Sequence, residues 1–428
     1  MRNEFATALA VVDDKCLYVL SAENAFCHCF PLDVDVSQNE DPPQVAWALR
    51  SPRPFDPIVL VAHQRRIFVC NVRDKKVIGC IRGHGGRITS IVVDPRSPNI
   101  FATTSADFTT RIYNLDHKPL EPSENPIWSP WDGPSLGSAA HGTDGSDSTG
   151  SGYSHCFQIL VGGRSGGHVW DVLGAAFHPH LPLIATCGAD RHVKIWRIVS
   201  DKNNGVFRDD KPLFSARITT AAVLSIAWLG EDVLLIHTAI TRTPHRGENG
   251  EEDIVEPGTL DVFQWLGLKR FFPTSSSTVA PTMQGGASDY LESKSYTLLS
   301  TRPLTFPGLD EPISTISQPQ VLHGYFLIVH PYSTDVILLP VSEFAPKSLP
   351  ASANDVGDTL ADMTKRIRID SPLPPPSPNA REALPVERLF DSDDLALEVV
   401  HVRACALTHS GDVVILGAMG GIWFLSEE

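Results

Sequence analysis

Sustained helical periodicity is almost absent from this chain. Residues 355–367 (VGDTLADMTKRIR) are the best short candidate for an amphipathic helix, so the chain reads as mostly β. No window approaches about 18 consecutive apolar residues, which excludes a membrane-spanning helix. The opening MRNEFATALAVVDDKCLYVL lacks the unbroken apolar core of a signal peptide, because Asp13, Asp14 and Lys15 interrupt it. No CxxC pair occurs among the eight cysteines, and most of them sit in apolar runs. They are expected to be reduced, buried, small hydrophobes of an intracellular protein. Cys27-His28-Cys29 is expected to hold no metal: alternation sets 27 and 29 on one strand face and 28 on the other, and no second ligand pair follows at finger spacing. Basic charge is in deficit, with 35 Lys plus Arg against 50 Asp plus Glu and a net charge of −15. Neutralising phosphates needs clustered Lys and Arg, so no nucleic-acid partner is expected, whereas a basic protein partner fits. No Gly-rich phosphate loop ending in Lys-Ser/Thr is present, and no cofactor is expected.

What the chain does have is short apolar segments ended by turn residues. PIVLVAH (57–63), RIFVCNV (66–72), RITSIVV (87–93), RIYNL (111–115), HVKIWRI (192–198), DVLLIH (232–237), TLDVFQW (259–265), YFLIVH (325–330), DVILLP (335–340), DVVILG (412–417) and GIWFLS (421–426) read as strands. Pro at 34 and Gly at 31 fit many turns. Residues 117–155, 242–257, 273–290 and 346–382 differ in composition, being Pro/Gly/Ser-rich or charged. Such segments bury too little apolar surface to offset their ordering entropy and are expected to be long, mobile insertions.

The strands recur as a repeat. GHGGRITSIVVDPRSPNIFATTSADFTTRIYNLD (83–116) aligns with GHVWDVLGAAFHPHLPLIATCGADRHVKIWRIV (167–199). Each has Gly-His, a strand, a Pro-marked turn, a strand ending at an Asp, and a strand carrying an aromatic. His84 leads to Asp107 and Tyr113, and His168 leads to Asp190 and Trp196, at nearly equal spacing. This is the signature of WD repeats, four strands to a propeller blade. The His, the Asp and the aromatic are expected to form a buried hydrogen-bonded network within the blade. Weaker echoes at 5–30, 45–72, 223–239 with 259–265, 313–341 and 402–426 extend the count. The expectation is an all-β, seven-bladed WD-repeat β-propeller spanning residues 1–428 as one domain, with long disordered insertions.

Two other functions compete. A serine hydrolase would use Gly163-Arg164-Ser165-Gly166-Gly167, a G-x-S-x-G match after the strand FQILV, with His84-Gly85-Gly86 as an oxyanion-hole motif. It needs a helix over 168–178, where the repeat register demands a strand; the two assignments exclude each other. Ser165 is expected to be a loop residue, and no residue is assigned to catalysis. A generic WD-repeat adaptor, such as a ubiquitin-ligase substrate receptor, has Trp196-Arg197 as faint support. Trp47, Trp228, Trp265 and Trp423 are expected to pack between blades, and Lys365-Arg366-Ile367-Arg368 to be a solvated or targeting segment.

Particular strings resemble one family. DPRSPN (94–99), GGRSGGHVWDVLGAAF (162–177) and CGADRHVKIWRI (187–198) are similar to consecutive blades of the EED/extra-sex-combs subunit of Polycomb repressive complex 2. FSAR (214–217) with SIAWLGEDVLL (225–235), and VRACALTHSGDVVILGAMGGIWFLS (402–426), resemble later blades of the same family. The resemblance implies a nuclear, non-catalytic scaffold that represses transcription through histone methylation. Its implied partners are an Enhancer-of-zeste-like SET-domain methyltransferase, the other subunits of the complex and, weakly, a histone tail. The family binds trimethyl-lysine in an aromatic cage, where a quaternary ammonium is attracted to ring faces. Phe5 matches its first wall and Arg403 a channel-mouth arginine. The second wall falls near Pro43-Gln44 and the third near Pro312-Ile313, where no aromatic stands. The cage is therefore expected to be degenerate.

Overall fold

A computed structural model of the chain describes residues 8–12, 15–21, 26–32, 43–51, 56–116, 150–151, 154–163, 166–200, 206–247, 250–272, 290–304, 325–329, 336–340, 387–388, 402–407, 413–417 and 422–425. The chain divides into two compact units, Met1–Leu224 with Gly267–Ser295, and Ser225–Leu266 with Tyr296–Glu428.

In the first unit, β1 (Leu9–Val12), β2 (Cys16–Ser21) and β3 (Phe26–Pro31) form an antiparallel meander. A second follows from β4 (Gln44–Arg50), β5 (Asp56–His63), β6 (Arg66–Asn71) and β7 (Lys76–Arg82). The third comprises β8 (Ile88–Val93), β9 (Ile100–Ser105), β10 (Thr110–Asn114) and, beyond a connection carrying β11 (Gly150–Ser151), β12 (His155–Leu160). The fourth comprises β13 (Val172–Phe177), β14 (Leu183–Gly188), β15 (His192–Arg197) and, beyond β16 (Phe207–Asp209), β17 (Phe214–Arg217). First strands adjoin in order, β1 beside β4, β4 beside β8 and β8 beside β13.

The near-continuous apolar runs follow from burial on both sheet faces. Along β5, Ile58, Leu60 and Ala62 face one core with Ile91, Phe101 and Tyr113 of the third sheet. Val59 and Val61, offset by one, face another with Leu17, Val19 and Phe30 of the first. The third sheet repeats the division: Phe101 and Tyr113 look back to the second sheet, and Ala102 and Ile112 look forward to Phe177, Ile184 and Trp196 of the fourth. A one-residue slip would exchange the two cores, so the alternation fixes the register.

In the second unit's chain order come β18 (Val223–Trp228), β19 (Val233–Thr238), β20 (Thr241–Gly247), β21 (Gly250–Glu256) and β22 (Thr259–Trp265). A single helical turn, α1 (Leu268–Phe271), lies in the stretch grouped with the first unit, and β23 (Tyr296–Pro303) resumes the second. The sheet order is β18-β19-β22-β23, with β20–β21 as a separate ribbon. Two three-stranded sheets follow: β24 (Tyr325–Val329), β25 (Val336–Pro340) and β26 (Glu387–Arg388), then β27 (Val402–Leu407), β28 (Val413–Gly417) and β29 (Ile422–Leu425). The charged stretch 242–257 thus carries an ordered ribbon, in which Arg246 stands opposite Glu251 and His245 opposite Glu252. The insertions expected at 273–290 and 346–382, most of 117–155 and the helical candidate 355–367 fall outside the described residues, except for β11, Ser154, His155 and Tyr290 at their margins.

Three connections between the third and fourth strands of a sheet turn back to the sheet before. From the β10–β12 connection, β11 pairs with β7, Gly150 opposite Ile81 and Ser151 opposite Cys80. From the β15–β17 connection, β16 pairs in parallel with β12, Gln158 opposite Phe207 and Leu160 opposite Asp209. From the β22–β23 connection, residues 290–293 lie on β17: Ser293 N–H donates to the Ser215 carbonyl at 2.6 Å, and Arg217 N–H donates to Glu292 Oε1 at 3.1 Å. Each covers an outer strand edge that would otherwise present unpaired backbone groups.

The cysteines are less uniformly buried than expected. Cys70 and Cys187 are buried, whereas Cys27 and Cys29 are exposed and Cys16, Cys80 and Cys156 are intermediate. The exposed pair shares the outer face of the edge strand β3, as the alternation requires.

Candidate functional site

The two strong repeats build the same buried His–Thr–Asp network from corresponding positions, but the expected aromatic joins it by a hydrogen bond only in the fourth sheet, through Trp196; the Tyr113 hydroxyl has no such partner among the described residues. In the third sheet, the Asp107 carboxylate accepts from His84 Nδ1 at 3.0 Å, Gly85 N–H at 2.9 Å, Thr109 N–H at 3.0 Å and the Thr109 hydroxyl at 2.6 Å. In the fourth, the Asp190 carboxylate accepts from His168 Nδ1 at 2.9 Å, Val169 N–H at 3.1 Å and His192 N–H at 3.1 Å. Each aspartate thus ties the Gly-His loop to the tight turn after the second strand. The residue after each Asp sits in the left-handed region, Phe108 at φ 67° and Arg191 at φ 68°, a conformation costly for side-chain-bearing residues and held here by the surrounding bonds.

The hydrogen bonds fix the protonation states. Burial drives both imidazoles toward neutrality, against the pull of their aspartates, and both pKa values fall below the ordinary value. Burial alone would raise Asp107 and Asp190; the histidine N–H donors outweigh it, helped by Arg111 and Thr109 at Asp107 and by His192 and Lys194 at Asp190. Both carboxyls are held well below the usual range. Each pair therefore comprises an ionised Asp and a neutral His carrying its proton on Nδ1. Nε2 is left as an acceptor, 2.8 Å from Thr103 Oγ1 in one sheet and 2.8 Å from Thr186 Oγ1 in the other. Trp196 Nε1–H donates to the same Thr186 oxygen at 2.9 Å. A directed chain results: indole N–H to Thr186, Thr186 O–H to His168, His168 N–H to Asp190. In the third sheet Tyr113 stands in place of Trp196, and its ring stacks on Phe101 with centroids 5.0 Å apart.

The threonines are the members that the reading of the sequence missed. Thr103 and Thr186 occupy equivalent positions when the two repeats are superposed on their aspartates, but a Thr in a strand is too ordinary a residue to stand out. A buried cation also recurs four residues after each Asp: Arg111, and Lys194, whose ammonium donates to Ser215 Oγ at 2.7 Å. Burial pushes Lys194 down to about 8. Thr186→Val, which keeps the shape and removes the central link, is expected to cost about 2 kcal/mol, while Thr186→Ser stays near the parent. Thermal unfolding of the two variants checks this.

These groups are consumed in holding the sheets, and none is presented to a substrate. Among the described residues no cluster of three or more His, Cys, Asp or Glu could hold a metal ion. The hydrolase reading is overturned by local structure: residues 172–177 form β13, not the helix that a nucleophile elbow requires, and His168 is buried in its network. Ser165 itself lies outside the described residues.

Of the channel-mouth candidates, Phe5 also lies outside the described residues. Arg403 lies on β27. Pro43 precedes β4 and Gln44 opens it, and neither carries an aromatic ring. Trp265 is fully buried, Trp228 is 8% exposed, and Trp47 packs against the core between the first two sheets. By contrast Trp170, which the sequence reading did not single out, is 62% exposed beside Val169.

The family model for the WD domain, G-beta repeat, matches residues 75–114 and 156–197, the two segments that carry these networks. The fold and the networks together define a WD-repeat β-propeller protein. The chain is 26% identical over 164 residues to the Polycomb group protein FIE1 of Zea mays, covering 38% of this chain and 27% of that protein. It is 26% identical over 153 residues to the Polycomb protein EED of Chaetomium thermophilum, covering 36% of this chain and 21% of that protein. It thus spans about a quarter of the length of these relatives. A crystal structure of an active polycomb repressive complex 2 in the basal state contains a chain matched at TM-score 0.57 and 16% identity, over 97% of this chain and 90% of that one. A Chaetomium thermophilum polycomb complex bound to H3K27me3 and H3K27M matches at TM-score 0.55 and 16% identity, over 97% and 89%. The WD40 β-propeller domain of Doa1 matches at TM-score 0.50 and 10% identity, over 100% and 91%. At these identities the structural likenesses carry the fold. Within the WD-repeat class, the chain is similar over about a third of its length to proteins named Polycomb group protein FIE1 and Polycomb protein EED.

Proposed function

We propose that this protein is a non-catalytic scaffold subunit of a Polycomb-type histone-3 lysine methyltransferase complex in the nucleus, holding an Enhancer-of-zeste-like SET-domain enzyme. The observation that carries the reading is the kinship with FIE1 and EED proteins, whose names place them in the Polycomb group. The geometry supports it by what it commits: His84, Asp107, His168 and Asp190 are buried in structural networks and are not offered to a substrate. Co-purification from nuclear extract with mass spectrometry tests it. The expected result is a SET-domain methyltransferase in stoichiometric amount; recovery of a cullin-ligase set instead would sink the proposal. One seven-bladed ring spanning residues 1–428 belongs to the same reading.

Trimethyl-lysine reading is expected to be weak or lost in this subunit and supplied by another. Each aromatic wall contributes roughly 0.5–2 kcal/mol when desolvated, so a site without most of its walls falls to millimolar affinity or worse. Calorimetric titration with a trimethylated histone-3 peptide measures it. Micromolar binding that disappears in Phe5→Ala would show a working cage.

A further inference from the structure

The segment 290–293 is held on β17 by one backbone bond and one side chain. The backbone bond runs from Ser293 N–H to the Ser215 carbonyl. The side chain is Glu292: Oε1 accepts from Arg217 N–H at 3.1 Å, and Oε2 stands 3.2 Å from Nε2 of His192 on β15. The other nitrogen of that ring, Nδ1, is 2.9 Å from the Asp190 carbonyl oxygen. A carbonyl only accepts, so Nδ1 carries a hydrogen, and a neutral ring then has a bare lone pair at Nε2. An ionised carboxylate also only accepts. His192 and Glu292 therefore form a hydrogen bond only when one further proton lies between them, on the ring as imidazolium or on the carboxyl. Without it a lone pair faces a negative oxygen, and the contact turns repulsive.

The charged groups around the pair keep their state near neutral pH. Asp190, held ionised by its donors, stands 3.9 Å from Nδ1. Arg217, opposite His192 in the β15–β17 pairing, stays cationic. His168, which also feels the charge of His192, stays neutral. Lys194, two residues along β15 and bonded to Ser215, sheds its proton only near 8. We propose that 290–293 is a proton-operated cover for the outer edge of β17, clasped while His192 and Glu292 share a proton and loosened when it leaves. The cover thus tightens in acid, opposite to the buried network histidines. The rest of the segment limits the movement: Ser293 is buried, and the Tyr290 carbonyl packs against Gly166 with no room for a side chain there. Loss of the proton frees the Arg217 N–H and leaves the fourth sheet intact, presenting that part of the β17 edge to strand addition.

Hydrogen exchange read by mass spectrometry on the full chain tests the proposal, with protection expressed relative to the intrinsic rate at each pH. The range from pH 6 to pH 7.5 lies where imidazoles titrate and below the loss of the Lys194 proton. Protection of peptides spanning 214–217 and 290–295 is expected to fall about threefold as pH rises across it, while that of β9 and β14 does not fall. His192→Gln places an amide N–H donor toward Glu292 at every pH, and Glu292→Gln supplies a side chain that both donates and accepts. Each is expected to abolish the slope. Protection at 290–295 that does not fall with pH in the unmodified chain overturns the proposal, and so does a slope that survives in either variant. The slope decides, not the level: its loss in both variants supports the proposal even where a variant is less protected than the parent.

Discussion

Asp107→Ala is expected to lower the thermal midpoint of the first unit by about 10 °C, a loss of roughly 4 kcal/mol. The carboxylate receives four donors, from His84, Gly85 and both donors of Thr109, and is almost fully buried. Alanine leaves the histidine N–H and two backbone N–H groups without their acceptor in a dry interior, at about 1–3 kcal/mol for each group left unsatisfied, eased by whatever water enters. It also removes the negative charge near the buried Arg111, and a buried cation without its counter-charge adds to the cost. Asp190→Ala should be milder, because its carboxylate receives three donors instead of four and its neighbour Lys194 can shed its proton. Scanning calorimetry with protection of β8–β10 and β13–β15 followed by hydrogen exchange gives both numbers. Equal losses, or a drop under about 2 °C in Asp107→Ala, would mean that water replaces the carboxylate and that the network does not hold the turn.

The order of those effects shows what the sequence makes legible. Gly-His, the turn Asp and the aromatic are visible because each is a rare choice for its place and recurs at fixed spacing. They led to the right strands and to the right pairs, His84 with Asp107 and His168 with Asp190. Thr103 and Thr186 join the pairs into chains yet leave no mark, since their local residue type is what any strand would use. The covering strands β11 and β16 are illegible for another reason: two or three residues have no period to detect, and their pairing depends on where a connection happens to pass. The ribbon β20–β21 was hidden by its own charge, because composition registers Glu251 and Arg246 separately and register alone sets them face to face.

Acid should destabilise this protein earlier than its carboxylates alone predict. His84, His168 and His237 are buried, and desolvation depresses all three, His237 to about 3 from the ordinary 6.5. A base whose pKa is lower in the folded state takes up its proton first in the unfolded chain. Stability is therefore fully present above pH 6.5 and falls as pH drops through that value toward the folded pKa. Kept neutral in the fold, the His237 ring contributes a loss of roughly 2 kcal/mol by pH 5, and His84 and His168 add losses of the same sign. Asp209 and Asp261, raised by burial, bind protons first in the folded state and oppose the trend as the pH falls through their raised values. Asp107 and Asp190, depressed by their partners, add their own loss only below about pH 4. His237 separates the contributions, because neither of its ring nitrogens has a hydrogen-bond partner among the described residues. His237→Leu removes the proton site without breaking a bond, so the pH dependence of β18–β22 should flatten while that of β8–β15 is unchanged. Urea midpoints between pH 7.5 and pH 5, read by exchange in each unit, measure the two slopes. A flat profile in the parent chain would mean that the folded state accepts protons at these rings, and that the neutral His–ionised Asp assignment fails.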